Sequence, residues 1–215
     1  DITATVQQYG KVVELSDDVI ITVQDQTANE VADMLAQNMA STYDKIVRNM
    51  LVATSAQIDC LNGVNGNAVT EVTTTDLEIA VDYVTNNNGK KLSPNQEGTN
   101  AFGTAPVWSA FWMVISSELR TDFKNLSTFL ATAEYPRQQS VLEAELGSCD
   151  EVRLVMTSEA FKDASSPPIY SNMLFAANSY GRIMIDDQSM EMIIKPLGAG
   201  QDPLNQRQTM GWKGR

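Results

Sequence analysis

Residues 27–54 read TANEVADMLAQNMASTYDKIVRNMLVAT, and this stretch decides the fold class. Apolar side chains recur at Val31, Met34, Leu35, Met39, Tyr43, Ile46, Val47, Met50 and Leu51. Steps of three and four place them on one stripe of a helix. Thr27 with Glu30 three residues on forms a capping box, in which side chains and backbone satisfy each other's first donors and mark a start. At a rise of ~1.5 Å per residue the expected helix is about 40 Å long, well above the usual globular length. Such a helix lies across a sheet or frames a domain. Its methionines are read as core packing, with a cofactor surface or promiscuous groove as the alternative.

Strands are expected on both sides of it. ITATVQQYGKVVEL (2–15) alternates at Ile2, Ala4 and Val6 and again at Val13 and Leu15, with a break near Gly10. Asp17-Asp18 interrupts it, and Val19 to Val23 reads as a second β-branched run. Downstream, Asn62-Gly63 and Asn65-Gly66 mark a loop or hairpin within 59–73. Thr75 and Glu78 open a short helix with Leu77, Ala80, Val81 and Val84 on one face, stopped by Asn86-Asn87-Asn88-Gly89. Residues 89–106 read as a long loop, Val107 to Ile115 as a buried strand, and Ser117 as the start of a short helix carrying Leu119 and Phe123. Leu126 to Tyr135 is weakly helical until Pro136. Further strands are expected at Glu151–Thr157, Met173–Ala177, Arg182–Ile185 and Met190–Lys195, and from Thr209 a strand that only begins. The class is mixed α+β, with strands drawn from distant parts of the chain and no internal repeat.

Composition narrows the chemistry. The chain has 215 residues, 27 acids, 15 bases and no histidine, for a net charge of −12. A chain of this size buries roughly 70% of its unfolded surface, so one or two domains can fold without a metal or disulfide. The negative surface repels DNA and anionic membranes and argues against sequence-reading nucleic-acid binding. Without histidine, Ser-His-Asp and Cys-His catalysis lose their base, and zinc and iron lose their commonest ligand. Carboxylate, lysine or magnesium chemistry survives that test. Cys60 and Cys149 lack a CxxC spacing and are two buried thiols or one bridge. The longest apolar stretches, such as Phe111 to Ile115, fall far short of the ~20 residues a membrane span needs. No signal peptide opens the chain, and a first residue Asp1 points to an N-terminal segment cut off or left out.

Acid pairs stand at Asp17-Asp18, Asp186-Asp187 and Glu143-x-Glu145. A glycosidase would need two carboxylates some 5–10 Å apart. With 27 acids in the chain such doublets arise by chance, and a carboxylate-dependent hydrolase is the weaker reading. Gly198-Ala199-Gly200 and Gly63 to Gly66 lack the Lys-Ser/Thr ending of a phosphate loop. Asp186-Asp187-Gln188-Ser189 lacks calcium-loop spacing, and Asn125-Leu126-Ser127 fits the glycosylation acceptor pattern by coincidence. From Lys195 onward four bases (Lys195, Arg207, Lys213, Arg215) face one acid (Asp202), a net +3, against −15 in the preceding 194 residues. That end is a contact for acidic surfaces of a neighbouring copy or simply a solvated end of a domain. No catalytic, cofactor-binding or metal-ligating residue is assigned, and no enzyme activity is expected.

An ordered series of segments carries a family resemblance: Val6-Gln7-Gln8-Tyr9-Gly10, Val13-Glu14-Leu15-Ser16-Asp17, the long helix, and Thr74-Thr75-Asp76-Leu77. Leu142-Glu143-Ala144-Glu145-Leu146-Gly147 leads into Val152-Arg153-Leu154-Val155-Met156-Thr157, followed by Ser179-Tyr180-Gly181. The most specific block is Ile194-Lys195-Pro196-Leu197-Gly198, Asp202-Pro203-Leu204-Asn205-Gln206-Arg207 and Gly211-Trp212-Lys213. Over nearly its whole length the chain resembles the major capsid protein of tailed bacteriophages, in the branch typified by the N-four podophage. The resemblance implies the Hong Kong 97-type capsid fold. Residues 1–25 would be the end of the extended-loop region, 26–73 the P-domain with its spine helix, 74–185 the A-domain, and 186–215 the return to the P-domain sheet. It also implies a subunit lacking both ends, with no cofactor. Its partners would be itself in hexamers and pentamers, portal, scaffold and decoration proteins, and packaged double-stranded DNA by non-specific proximity, with no membrane. The location implied is the virion capsid, assembled in the bacterial host cytoplasm. A cellular capsid-like compartment would share the fold.

Overall fold

The computed structural model describes residues 7–22, 27–54, 56–60, 70–92, 109–135, 141–165, 168–181, 190–199 and 202–214. The strands are β1 (Tyr9–Ser16), β2 (Phe111–Ser116), β3 (Phe129–Ala131), β4 (Glu145–Cys149) and β5 (Val152–Thr157). After these come β6 (Phe161–Lys162), β7 (Tyr170–Ser171), β8 (Met173–Phe175), β9 (Met190–Lys195) and β10 (Arg207–Gly214). The helices are α1 (Asp17–Thr22), α2 (Thr27–Thr54), α3 (Thr74–Asn86) and α4 (Arg120–Lys124). The chain divides into two compact units, Asp1–Ile46 with Gly181–Arg215, and Val47–Tyr180.

The first unit holds an antiparallel sheet in the order β1-β10-β9. Alternation along β1 turns Val13 and Leu15 to one face, and β10 turns Met210 and Trp212 the same way. The helical stripe supplies Leu35, with Ala28, Val31 and Met39 packed around it. Met34 and Met50, expected on that stripe, are instead exposed at 68% and 49%. The stripe that touches the core is narrower than the run of apolar residues, so the outer methionines stay in water.

Three local expectations change here. Gly10 does not break the strand: it lies inside β1 opposite Lys213, where a Cβ would come within 2.8 Å of the Trp212 carbonyl oxygen. Residues 17–22 form helix α1 rather than a β-branched strand. Asp17 and Asp18 sit in its first turn, where acids favour the helix dipole, and the Val19 amide donates to Ser16 Oγ at 3.4 Å. Capping outweighs the β preference of Val19, Ile20 and Ile21. Finally, β10 is a full eight-residue strand at the centre of its sheet, not the start of one.

The second unit is built on a five-stranded sheet, β3-β4-β5-β2-β8, parallel between β2 and β5 and antiparallel elsewhere. Phe111, Ile115, Phe123, Cys149, Val152 and Leu154 are its most buried side chains. Leu77 of α3 and Phe123 of α4 close this core. Helix α3 starts two residues before the expected box: Thr73 caps it, the Asp76 amide donates to Thr73 Oγ1 at 3.3 Å, and the Thr73 amide donates to Asp76 Oδ2 at 2.8 Å. The same Thr-x-x-acid logic therefore operates on the preceding pair. Asn88 takes the left-handed conformation at φ 59°, as the asparagine run predicts. Phe129–Ala131 is a strand where weak helix is expected, because it pairs with β4 and seats Phe129 against Gly147. The short strands β4, β6 and β7 carry too few residues for a period to show. The expected strands at Ile2–Val6 and Arg182–Ile185, the turns at Asn62-Gly63 and Asn65-Gly66, and most of the 89–106 loop lie outside the described residues.

Candidate functional site

Among the described residues the candidate acids do not converge on a reaction centre. Asp17 and Asp18 serve the start of α1, where the Asp18 amide donates to Asp17 Oδ1 at 2.9 Å. Asp186 and Asp187 lie outside the described residues. Glu143 is exposed, while Glu145 is buried in β4 with its carboxylate fully engaged. Arg153 Nε donates to Glu145 Oε1 at 2.8 Å and the Arg153 Nη2 to Oε2. Tyr135 donates its hydroxyl to Oε1 at 3.1 Å and the Leu142 amide donates to Oε2 at 3.1 Å. The Arg153 guanidinium also stands 5.5 Å from the Trp112 ring centroid. Burial first, and the Glu145 charge after it, push the Tyr135 phenol up to about 12. A carboxylate held by four donors neither attacks nor abstracts a proton, so this is a packing network of the sheet. Sequence reading passes over it, although an arginine inside the alternating run Val152–Thr157 is the signal that an inward partner must exist.

Both cysteines are free thiols, Cys149 buried and Cys60 partly so. Burial, followed by nearby aspartates, pushes each up to about 11. A thiol held that high is protonated at neutral pH and is a poor nucleophile. A groove of 340 Å³ opens over Leu77, Cys149 and Val152, rimmed by the exposed Glu78, Asp82, Asp150 and Glu151. Lys91 already pairs with Glu151 at 2.8 Å. Among the described residues no three Cys, Asp or Glu side chains are placed to hold a metal ion, and no helix is long and apolar enough to cross a membrane.

The basic C-terminal section is partly neutralised inside its own sheet. Arg207 pairs with Glu14 at 3.1 Å and Lys213 with Glu191 at 2.8 Å across neighbouring strands. Lys195 is exposed, and Arg215 lies outside the described residues. The same sheet and the turn that joins β9 to β10 present apolar surface that charge counting misses: Val12 in β1 is 69% exposed, Ile194 in β9 53%, and Leu204 in the turn 73%. Among the described residues these exposed apolar side chains stand out more than any cluster of reactive groups.

The family described as Phage capsid protein matches residues 1–215. This chain belongs to it. A solved structure from Mycobacterium phage Che8 superposes on this capsid-family chain with a TM-score of 0.57 at 12% sequence identity. The superposition covers 97% of this chain and 64% of that one, so the chain spans just under two thirds of the length of the structure it matches. The likeness is one of fold: an α+β capsid-like arrangement. No curated protein matches the chain.

Proposed function

We propose that this chain is the structural major capsid protein of a tailed bacteriophage, adopting the Hong Kong 97-type fold. Copies of it assemble as hexamers and pentamers into an icosahedral shell around double-stranded DNA. The observation that carries this reading is the family match over all 215 residues. On this reading α2 is the spine helix of the P-domain, 74–185 form the A-domain, and 186–215 return to the P-domain sheet beside the end of the extended loop at 1–25. The protein acts by binding copies of itself, needs no cofactor, and meets portal, scaffold and decoration proteins during assembly in the host cytoplasm. A subunit with net charge −12 also resists sticking to packaged DNA, which helps loading and release.

Electron microscopy of the purified protein, expressed alone and with its phage partners, tests the proposal. Regular icosahedral shells enclosing DNA uphold it. A protein that stays monomeric at high concentration across a range of salt, with no capsomers or shells, overturns it.

A further inference from the structure

Strand β9 is an edge of its sheet, paired on one side with β10 among the described residues. In that register Met192 lies opposite Trp212 and Ile194 opposite Met210, so the four side chains leave the same face. Trp212 and Met210 are buried with Leu35. Met192 and Ile194, one strand further out, are 40% and 53% exposed. An apolar pair beside a row of unpaired backbone donors and acceptors is a template for one more strand.

The residues of the edge specify which strand that is. β9 reads Met190-Glu191-Met192-Ile193-Ile194-Lys195. Laid antiparallel against an identical strand about Ile193, Met192 of one copy falls opposite Ile194 of the other, twice by symmetry. In the same register Glu191 falls opposite Lys195, again twice. Both contacts are complementary, apolar on one face and oppositely charged on the other. A slip of one residue sets Met192 against Ile193 and parts the charges. Lys195 is exposed and has no ion-pair partner among the described residues. Glu191 pairs with Lys213 but stays half exposed, so its carboxylate can accept a second cation.

We propose that β9 is a two-fold interface through which two copies of this chain join their sheets into one, in the order β1-β10-β9-β9-β10-β1. The contact is isologous, each copy offering the same patch. That the occupant is a second copy rests on this self-complementarity and on the assembling role proposed above.

Three variants of the full chain test it, with sedimentation velocity as the readout and thermal unfolding as a control on folding. Lys195→Glu and Glu191→Lys each place like charges opposite one another, and each alone lowers the association constant by roughly tenfold. An equimolar mixture of the two restores association, because every acid in the mixed pair again faces a base. Ile193→Cys, at the two-fold, gives a disulfide dimer linked through position 193 on mild oxidation, since directly opposed Cβ atoms lie only about 4.5–5.5 Å apart. Association indifferent to both charge variants, or no 193–193 disulfide, overturns the interface. Micrographs of the same samples keep the two ideas separate. Shells that form regardless of these variants overturn the interface alone, and a β9-dependent dimer that never builds shells upholds the interface and overturns the capsid reading.

Discussion

The two sheets are made by different rules. In the five-stranded sheet, β4, β5 and β2 bury side chains along most of their length, and even a charge pair, Glu145–Arg153, is shut inside. In the three-stranded sheet β10 buries Met210 to Trp212 and Gly214, while β1 and β9 leave most of their residues in water. The first sheet, closed by α3 and α4, reads as a stable body. The second is finished only where a helix or another molecule covers it. Apolar residues left uncovered on an ordered edge mark where a protein expects company.

The sharpest way to break this contrast is to disturb the buried charge pair. Arg153→Ala leaves Glu145 without its partner in the sheet and lowers stability by about 3–5 kcal/mol, measured by urea unfolding. The joint replacement Glu145→Leu with Arg153→Met recovers most of that loss, since an apolar pair of similar volume needs no desolvated charge. Trp212→Ala is the matching change in the smaller sheet. It removes a buried indole and costs about 3–5 kcal/mol, at the lower end because only one face of that sheet is closed. Next comes Gly147→Ala. A Cβ there would meet the Leu130 carbonyl oxygen and lie 2.7 Å from the Phe129 ring, so the β3–β4 pairing must open, at about 1–3 kcal/mol.

The smallest effects lie at the surface. Hydrogen bonds from Lys162 and then Tyr170 hold the Glu118 carboxyl below its ordinary value of 4.5, and the same carboxylate raises Lys162 above 10.5. Glu118 therefore contributes stability above its unfolded value, lost as pH falls through the lowered folded one. Lys162 contributes below 10.5, lost as pH rises through its raised folded value. The pair is intact across the neutral range. Because both groups are solvent-exposed, Glu118→Gln shifts the melting temperature barely at pH 7, and less still as pH falls through the lowered carboxyl value. Thiol labelling gives a further comparison: Cys149 reacts with iodoacetamide only on denaturation, whereas Cys60, partly exposed, reacts slowly in the native protein, at a rate that rises toward pH 11.

What the sequence made legible follows from how far each signal reaches. The helix at 27–54 and the strand at Met190–Lys195 match their expected limits, because periodicity and a following proline are local facts. Helix α1 was hidden by three β-branched residues whose preference loses to a serine cap and two acids. Arg153 inside its alternating run signals that some partner must exist, but that the partner is Glu145 depends on a register between β4 and β5 that includes an irregularity at Glu145/Gly147. The exposed pair Met192 and Ile194 could not be told from core residues by composition. Their exposure is decided by which strand the helix covers, a tertiary matter.

The central place of β10 sets an order of events. Its partner β1 begins at Tyr9 and pairs Tyr9 with Gly214, so the sheet joins residues 205 positions apart (214 − 9). Residues 47–180 can collapse while the ribosome is still at work, at ~5–20 residues per second. β1 must wait for nearly the last codon of this stretch before it finds its neighbour. The edge proposed to recruit another copy thus acquires its backing only once residues 207–214 have emerged, so a half-made chain has no finished edge to offer.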